Sequence, residues 1–277
     1  MPPNICCQSP RLSIIIPARN EARRLPSTLE KIAHFLSRQD YDAEVIVVDN
    51  GSTDGTAATV QEFTRQHEGF PITVVYEPRR GKGAAVRTGM LHGTGEILFL
   101  CDADLSMPIE ELDKFLTKLP EQTDIAIGCR ECPGSSRLGE PIHRRLMSRV
   151  FNQLLRSLGL TGLPDTQCGF KAFRRNVAYD VFAAQTIPGW GFDVEILAIA
   201  RRRRYSVASV PIAWNHDADS RVRPFLDVVA MFQEIWSIRQ RLRQGLYDRT
   251  FKSQTTVVDS SRPARLPSVG QLRRRVA

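Results

Sequence analysis

The chain has 277 residues, 42% of them hydrophobic and 25% charged, with 18 glycines and 17 prolines, which excludes disordered, collagen-like and coiled-coil chains. Its formal net charge is +8, but seven basic residues against one acid from Arg249 onward carry +6 of that, so the preceding part is nearly neutral. No run approaches the ~20 apolar residues of a membrane-spanning helix, and the opening MPPNICCQSP lacks the charged start and apolar stretch of a secretory signal, so a cytosolic chain is expected.

Residues 1–11 are expected to be flexible. Strand-like Ile/Val/Leu runs then alternate with helical periodicity. Leu12 to Pro17 reads as a strand and Glu21 to Ser37 as a helix. Glu44 to Asp49 is the next strand, before a helix over Asp54 to His67 with Ser52 and Asp54 as N-cap signals. A strand at Ile72 to Tyr76 precedes a helix at Gly83 to His92, and a strand at Ile97 to Cys101 precedes one at Pro108 to Lys118. Asp124 to Gly128 is a strand, Pro141 to Leu158 and Phe192 to Arg204 are helices, Tyr205 to Trp214 is a strand, and Pro224 to Arg243 a last helix. Runs so continuously apolar suit strands covered on both faces. The alternation predicts an α/β fold with a doubly wound, mostly parallel sheet flanked by helices, one domain over 12–243. Residues 244–277 form a basic tail expected to be disordered. Ligands of such sheets sit beyond the carboxyl ends of the strands.

Three strand ends carry unusual polar sets: Pro17-Ala18-Arg19-Asn20-Glu21, Asp49 through Thr56, and Asp102-Ala103-Asp104. Short polar residues at strand-to-helix turns serve as caps or as ligands, and the second segment alone fits either. Asp102 and Asp104 are different. Two carboxylates two residues apart raise one pKa or call for a cation, and a hard divalent ion that bridges a diphosphate takes such oxygens. Arg79-Arg80-Gly81-Lys82-Gly83 places cations and free N–H groups at a helix start, which suits an anion. The P-loop spacing GxxxxGK[ST] and the dinucleotide fingerprint are both absent. Cys129 and Cys132 are a lone CxxC without a second ligand pair, so reduced thiols are expected.

Together the segments IIIPARNE (14–21), VVDNGSTDGT (47–56), GKGAAVRTGM (81–90), DADLSMP (102–108), IGCR (127–130), DTQCGFKAF (165–173), GFDVEI (191–196) and SRVRP (220–224) resemble, in order, the GT-A-fold inverting glycosyltransferases that use nucleotide sugars. Among these the chain is similar to the dolichyl- or polyprenyl-phosphate sugar transferases, and DTQCGFKAF with GFDVE resembles the dolichyl-phosphate β-glucosyltransferase branch. Asn50 departs from the second Asp of many relatives. The resemblance implies that Pro17, Asn20, Glu21 and Asp49 line the nucleotide pocket, with Lys82 near it. It implies that Asp102 and Asp104 hold Mg2+ or Mn2+ against the diphosphate. His216, in Trp214-Asn215-His216, is read from the residues alone as a further candidate contact to the metal or the diphosphate. Arg130 and Arg144 match cationic positions near the phosphates, Arg221 or Arg223 matches the basic residue of a loop that closes over them, and Asp193, a catalytic candidate as a base, would sit with Glu195 near the acceptor side.

The expected reaction is metal-dependent transfer of glucose from UDP-glucose to a polyprenyl phosphate. The alternatives are GDP-mannose as donor, a soluble acceptor such as phosphoglycerate, or a non-catalytic nucleotide-sugar binder. The acceptor phosphate has a second pKa of about 6, so it is already a nucleophile at neutral pH. Two basic amphipathic helices (Met147, Val150, Phe151, Leu154, Leu155 and Leu158 in one; Phe225, Val228, Val229, Phe232, Ile235 and Trp236 in the other) predict peripheral membrane contact, aided by the tail. No basic face with interleaved aromatics marks a nucleic-acid binder.

Overall fold

The computed structural model describes residues 9–215 and 224–248. Strands β1 (Leu12–Ala18), β2 (Ala43–Asp49), β3 (Ile72–Tyr76), β4 (Ile97–Leu100), β5 (Ile125–Cys129), β7 (Lys171–Arg174) and β8 (Val207–Pro211) form one sheet in the order β3-β2-β1-β4-β7-β5-β8. All run parallel except β7, which lies antiparallel between β4 and β5. A short parallel ribbon pairs β6 (Ser136–Leu138) with β9 (Ala213–Asn215).

The period of two along each strand assigns its side chains to two layers. Ile14, Ile16, Val45, Val47 and Phe99 pack with α1 (Leu25–Leu36), α2 (Thr56–Gln66) and α4 (Leu112–Gln122). Ile15, Ile46, Val48, Leu98 and Leu100 pack with α3 (Lys82–His92), α6 (Arg175–Ala184), α7 (Phe192–Arg202) and α8 (Pro224–Arg243). Helix α5 (Ile142–Ser157) reaches that second layer through Leu155. The result is the single-domain, mostly parallel α/β sandwich read from the alternation, with the ends of β1, β2 and β4 opening side by side.

Several readings are corrected. β7 and α6 escaped periodicity because Lys171 and Arg174 interrupt a four-residue strand. The run Tyr205 to Trp214 divides at Ile212, where the chain leaves the sheet to pair with β6. Gln244 to Asp248, expected in the tail, belong to the fold: Tyr247 is fully buried and Asp248 pairs with Arg202. Cys129 and Cys132 are not separate thiols. The turn after β5 sets their Cα atoms 5.5 Å apart and they form a disulfide.

Candidate active site

The ends of β1 and β2 are knitted by hydrogen bonds from backbone N–H groups to short polar side chains. Asn20 has a positive φ of 56°, a conformation that asparagine tolerates. Its amide N–H donates to Ser52 Oγ at 2.9 Å and its Oδ1 accepts the Thr53 N–H at 2.8 Å. The N–H of Glu21 donates to Thr56 Oγ1, and that of Ala22 to Asp54 Oδ2. Ser52 is thus committed to the β1 turn, whereas Asp54 does accept the Thr56 N–H at the start of α2. Asp49, buried at the end of β2, accepts the Ser52 N–H, and Pro17 sits one strand over on β1. The residues expected on the nucleotide side therefore converge on one edge.

Asn50 is more than a departure. Its buried amide donates to the carbonyls of Glu77 and Arg79, and its Oδ1 accepts the Gly81 N–H at 2.8 Å. A carboxylate could donate neither bond, so asparagine here holds the loop that leads into α3. Gly81 completes that loop at φ 131°, where a Cβ would lie 2.1 Å from the Pro188 carbonyl oxygen. Glu77, which no motif singled out, binds Arg79 through both oxygens and accepts from Thr88. These bonds, the guanidinium's first, hold its carboxyl down at about 2.

Beyond β4 the charges alternate. Lys82, at the first turn of α3, puts Nζ 2.6 Å from Asp102 Oδ1 and 5.4 Å from the ring centre of Trp190. Burial pulls this ammonium's pKa down, but the carboxylates of Asp102, Asp193 and Asp104 outweigh it and leave it raised. Asp104 accepts the Ser106 N–H at 3.0 Å, and its carboxyl is pushed up by burial and then by Asp102. Gly169 lies against Asp102, since a Cβ there would fall 1.8 Å from Oδ2. The two carboxylates are hard oxygen donors whose mutual repulsion a divalent cation would relieve, so they fit Mg2+ or Mn2+. Among the described residues no third His, Cys, Asp or Glu joins them. His216 lies outside the described residues.

Behind this layer Asp193 pairs with a lysine to which the motifs gave no role. Lys171, fully buried on β7, donates to Asp193 Oδ1 and to the Cys168 carbonyl, both at 2.5 Å. Burial raises the Asp193 carboxyl, opposed by Lys171. Glu195, expected beside Asp193 on the acceptor side, instead accepts from Thr186, Ile187 and Tyr247 and anchors the loop before α7.

Arg130 donates Nε and Nη2 to Asp165 at 2.7 and 2.9 Å, and its guanidinium lies 5.5 Å from the centre of the Trp214 ring. Asp165 is fully buried; burial alone would raise its carboxyl, yet Arg130 wins and holds it low. Arg144 is carried by α5, but its side chain lies outside the described residues, as do Arg221 and Arg223. On α5, Phe151 and Leu155 face the fold, while Ile142, Leu146 and Val150 are 86%, 61% and 62% exposed and Met147 is exposed with them. On α8, Ile235 is buried and Trp236 exposed, so the two do not share one face as expected. The α8 side chains Phe225, Val228, Val229 and Phe232 lie outside the described residues. Among the described residues no helix is long and apolar enough to cross a membrane.

Comparison with known proteins agrees with this fold. Residues 13–182 match the family Glycosyl transferase family 2. A dolichyl-phosphate beta-glucosyltransferase of Trichomonas vaginalis is 32% identical over 259 residues, covering 89% of this chain and 76% of the relative. The mouse dolichyl-phosphate beta-glucosyltransferase is 34% identical, covering 86% and 77%. Among solved structures, glucosyl-3-phosphoglycerate synthase from Mycobacterium tuberculosis in complex with Mn2+ and UDP-glucose superimposes with a TM-score of 0.59 at 22% identity, over 85% of this chain and 79% of that one. That likeness is one of fold.

Proposed function

The chain belongs to glycosyl transferase family 2, and from that premise we propose that it transfers glucose from UDP-glucose to a dolichyl-type polyprenyl phosphate at a membrane surface, with inversion at the anomeric carbon. The observation that carries the reading is the placement of Asp102 and Asp104 beside Lys82, next to the polar edge formed by Pro17, Asn20, Glu21 and Asp49. The named relatives support the sugar and the acceptor, and the fold neighbour crystallised with Mn2+ and UDP-glucose supports the donor.

Asp102 and Asp104 would hold Mg2+ or Mn2+, which when bound supplies positive charge to the departing diphosphate. The residues of the chain do the rest. Asp49 and Asn20 shape the nucleoside side, and Asn50 keeps the 77–81 loop in place so that Lys82 stands beside the acidic pair. Lys171 already holds Asp193 in a buried pair, so Asp193 serves as a positioning group and not as a base, and an acceptor phosphate dianion needs none. Arg130 shapes the floor through Asp165, while Arg144, Arg221, Arg223 and His216 are assigned to the phosphates and the ion on their sequence positions alone. The outward apolar residues of α5, flanked by Arg145, Arg149 and Arg156, would rest in the lipid headgroups.

Purified full-length protein should move labelled glucose from UDP-glucose into an organic-extractable lipid when a polyprenyl phosphate and Mg2+ or Mn2+ are present. Asp104→Asn should lower turnover by about a thousandfold while the folded spectrum persists. Label that stays water-soluble with phosphoglycerate as acceptor would overturn the lipid assignment, and full activity of Asp104→Asn would overturn the site.

A further inference from the structure

Between β5 and β6 the chain makes a four-residue turn, Cys129-Arg130-Glu131-Cys132, closed by the disulfide between its two ends. Its two inner residues join the sheet to the surface. Arg130 grips the buried Asp165. Glu131 gathers Arg137 at 2.7 Å, Arg149 at 2.9 Å and Arg145 at 3.9 Å. Arg145 and Arg149 are four residues apart on α5, one turn of the helix whose other side chains include the exposed Leu146 and Val150. The backbone of the turn is held as well. The Arg130 carbonyl accepts from Ser135 Oγ and Arg137 Nε, and the Cys132 carbonyl accepts from Ser135.

The two sulfurs differ in access. Cys129 is fully buried at the end of β5, whereas Cys132 is only half-buried and lies in the loop. The two thiols free among the described residues, Cys101 and Cys168, are buried, so soluble reagents do not reach them. Among the described cysteines Cys132 is thus the one that is not buried, so the Cys129–Cys132 bond is where a small thiol meets the disulfide.

We propose that Cys129–Cys132 is a reversible oxidation site for low-molecular-weight thiols and disulfides, and that its state sets how firmly Glu131 holds α5. A thiolate RS⁻ attacks Sγ of Cys132, the Cys129–Cys132 bond breaks, and Cys129 leaves with the electron pair and takes a proton. A second RS⁻ attacks the mixed disulfide at its R sulfur, releasing RSSR and the Cys132 thiolate. Two RSH are oxidised to one RSSR while the protein disulfide is reduced to two thiols, and oxidation runs the same steps backward. With the ring open, Arg130 keeps its buried partner, but Glu131 loses the covalent closure that fixes it toward arginines themselves about half exposed.

The test equilibrates the full-length protein in buffers of graded thiol-to-disulfide ratio. Differential alkylation of the peptide carrying Cys129 and Cys132 should follow a two-electron transition, and hydrogen exchange across α5 should quicken in the reduced form. Cys132→Ser should exchange like the reduced form in every buffer; should that variant not fold, the reversible reduction of the unsubstituted chain carries the same comparison. Only the kinetic arm rests on the proposed glucosyl transfer. There, reduction should raise the KM for polyprenyl phosphate about fivefold. Thiols that stay alkylatable in the most oxidising buffer overturn the proposal, and so does an open disulfide with unaltered exchange in α5. Absence of any glucosyl transfer would strike the function alone, because alkylation and exchange are read without turnover.

Discussion

The nucleotide edge and the opposite, α5-bearing edge are held by different chemistry. At the ends of β1 and β2 the polar residues are short and mostly neutral, and they satisfy one another's backbone groups: Asn20 with Ser52 and Thr53, Asn50 with Glu77, Arg79 and Gly81. On the other edge the chain relies on arginine and lysine paired with carboxylates, through Arg130–Asp165, Lys171–Asp193 and the arginines around Glu131. Hydrogen bonds among short polar groups cost little in desolvation, and Asp49 is the buried carboxylate that they frame on the nucleotide side. Buried ion pairs cost more to desolvate and stabilise only when both members stay in place. The edge expected to meet an anionic acceptor is therefore the one whose stability depends on complete charge pairing.

The most damaging way to break that contrast is Lys171→Met. It leaves Asp193 buried without its cation, and the expected loss is about 3–5 kcal/mol of unfolding free energy in a denaturant titration. Adding Asp193→Leu should recover most of the loss; if the double variant is as unstable as the single one, the pair is not what holds this edge. A smaller effect is expected from Glu77→Gln on the nucleotide side. The Glu77 carboxyl lies at about 2 when folded against an ordinary 4.5, so its contribution is fully present above the unfolded value and fades as pH falls toward the folded one. Because Arg79 is 62% exposed, the discounted expectation is about 1–2 kcal/mol between the native chain and the variant at neutral pH. That gap should shrink steadily below about pH 4.5; a gap constant from neutrality to acid would detach Glu77 from the loop.

The two edges are also unequally legible in the sequence. Asp49, Asn20, Asp102 and Asp104 stand directly after apolar runs, and a strand-end rule locates them without any knowledge of partners. Lys171 carries no such signal, since a lysine inside four residues reads as a break in the strand, and only the antiparallel insertion of β7 buries it beside Asp193. Asp165 lies 35 positions from Arg130 and Glu131 lies 18 from Arg149, and pairings of that span are set by topology. The CxxC is visible, but its closure depends on the turn geometry after β5. Helical spacing likewise groups Met147 with Leu155, whereas the sheet covers only the far end of α5.

That uncovered end offers the mildest and most selective test. Ile142 and Leu146 make no use of the core, being 86% and 61% exposed, so replacing both with serine should leave the unfolding free energy within about 0.5 kcal/mol of the original. If α5 rests in a bilayer, the same double change removes two apolar anchors and should weaken binding to vesicles containing anionic lipid by about tenfold or more, in a sedimentation assay at fixed salt. The soluble donor makes the opposite forecast: its affinity should not move, because only Ile142 and Leu146 are exchanged and Arg144, the α5 residue assigned to the phosphates, is kept. Loss of UDP-glucose affinity in this variant would mean that the two edges are one coupled surface, and unchanged vesicle binding would remove α5 from the membrane.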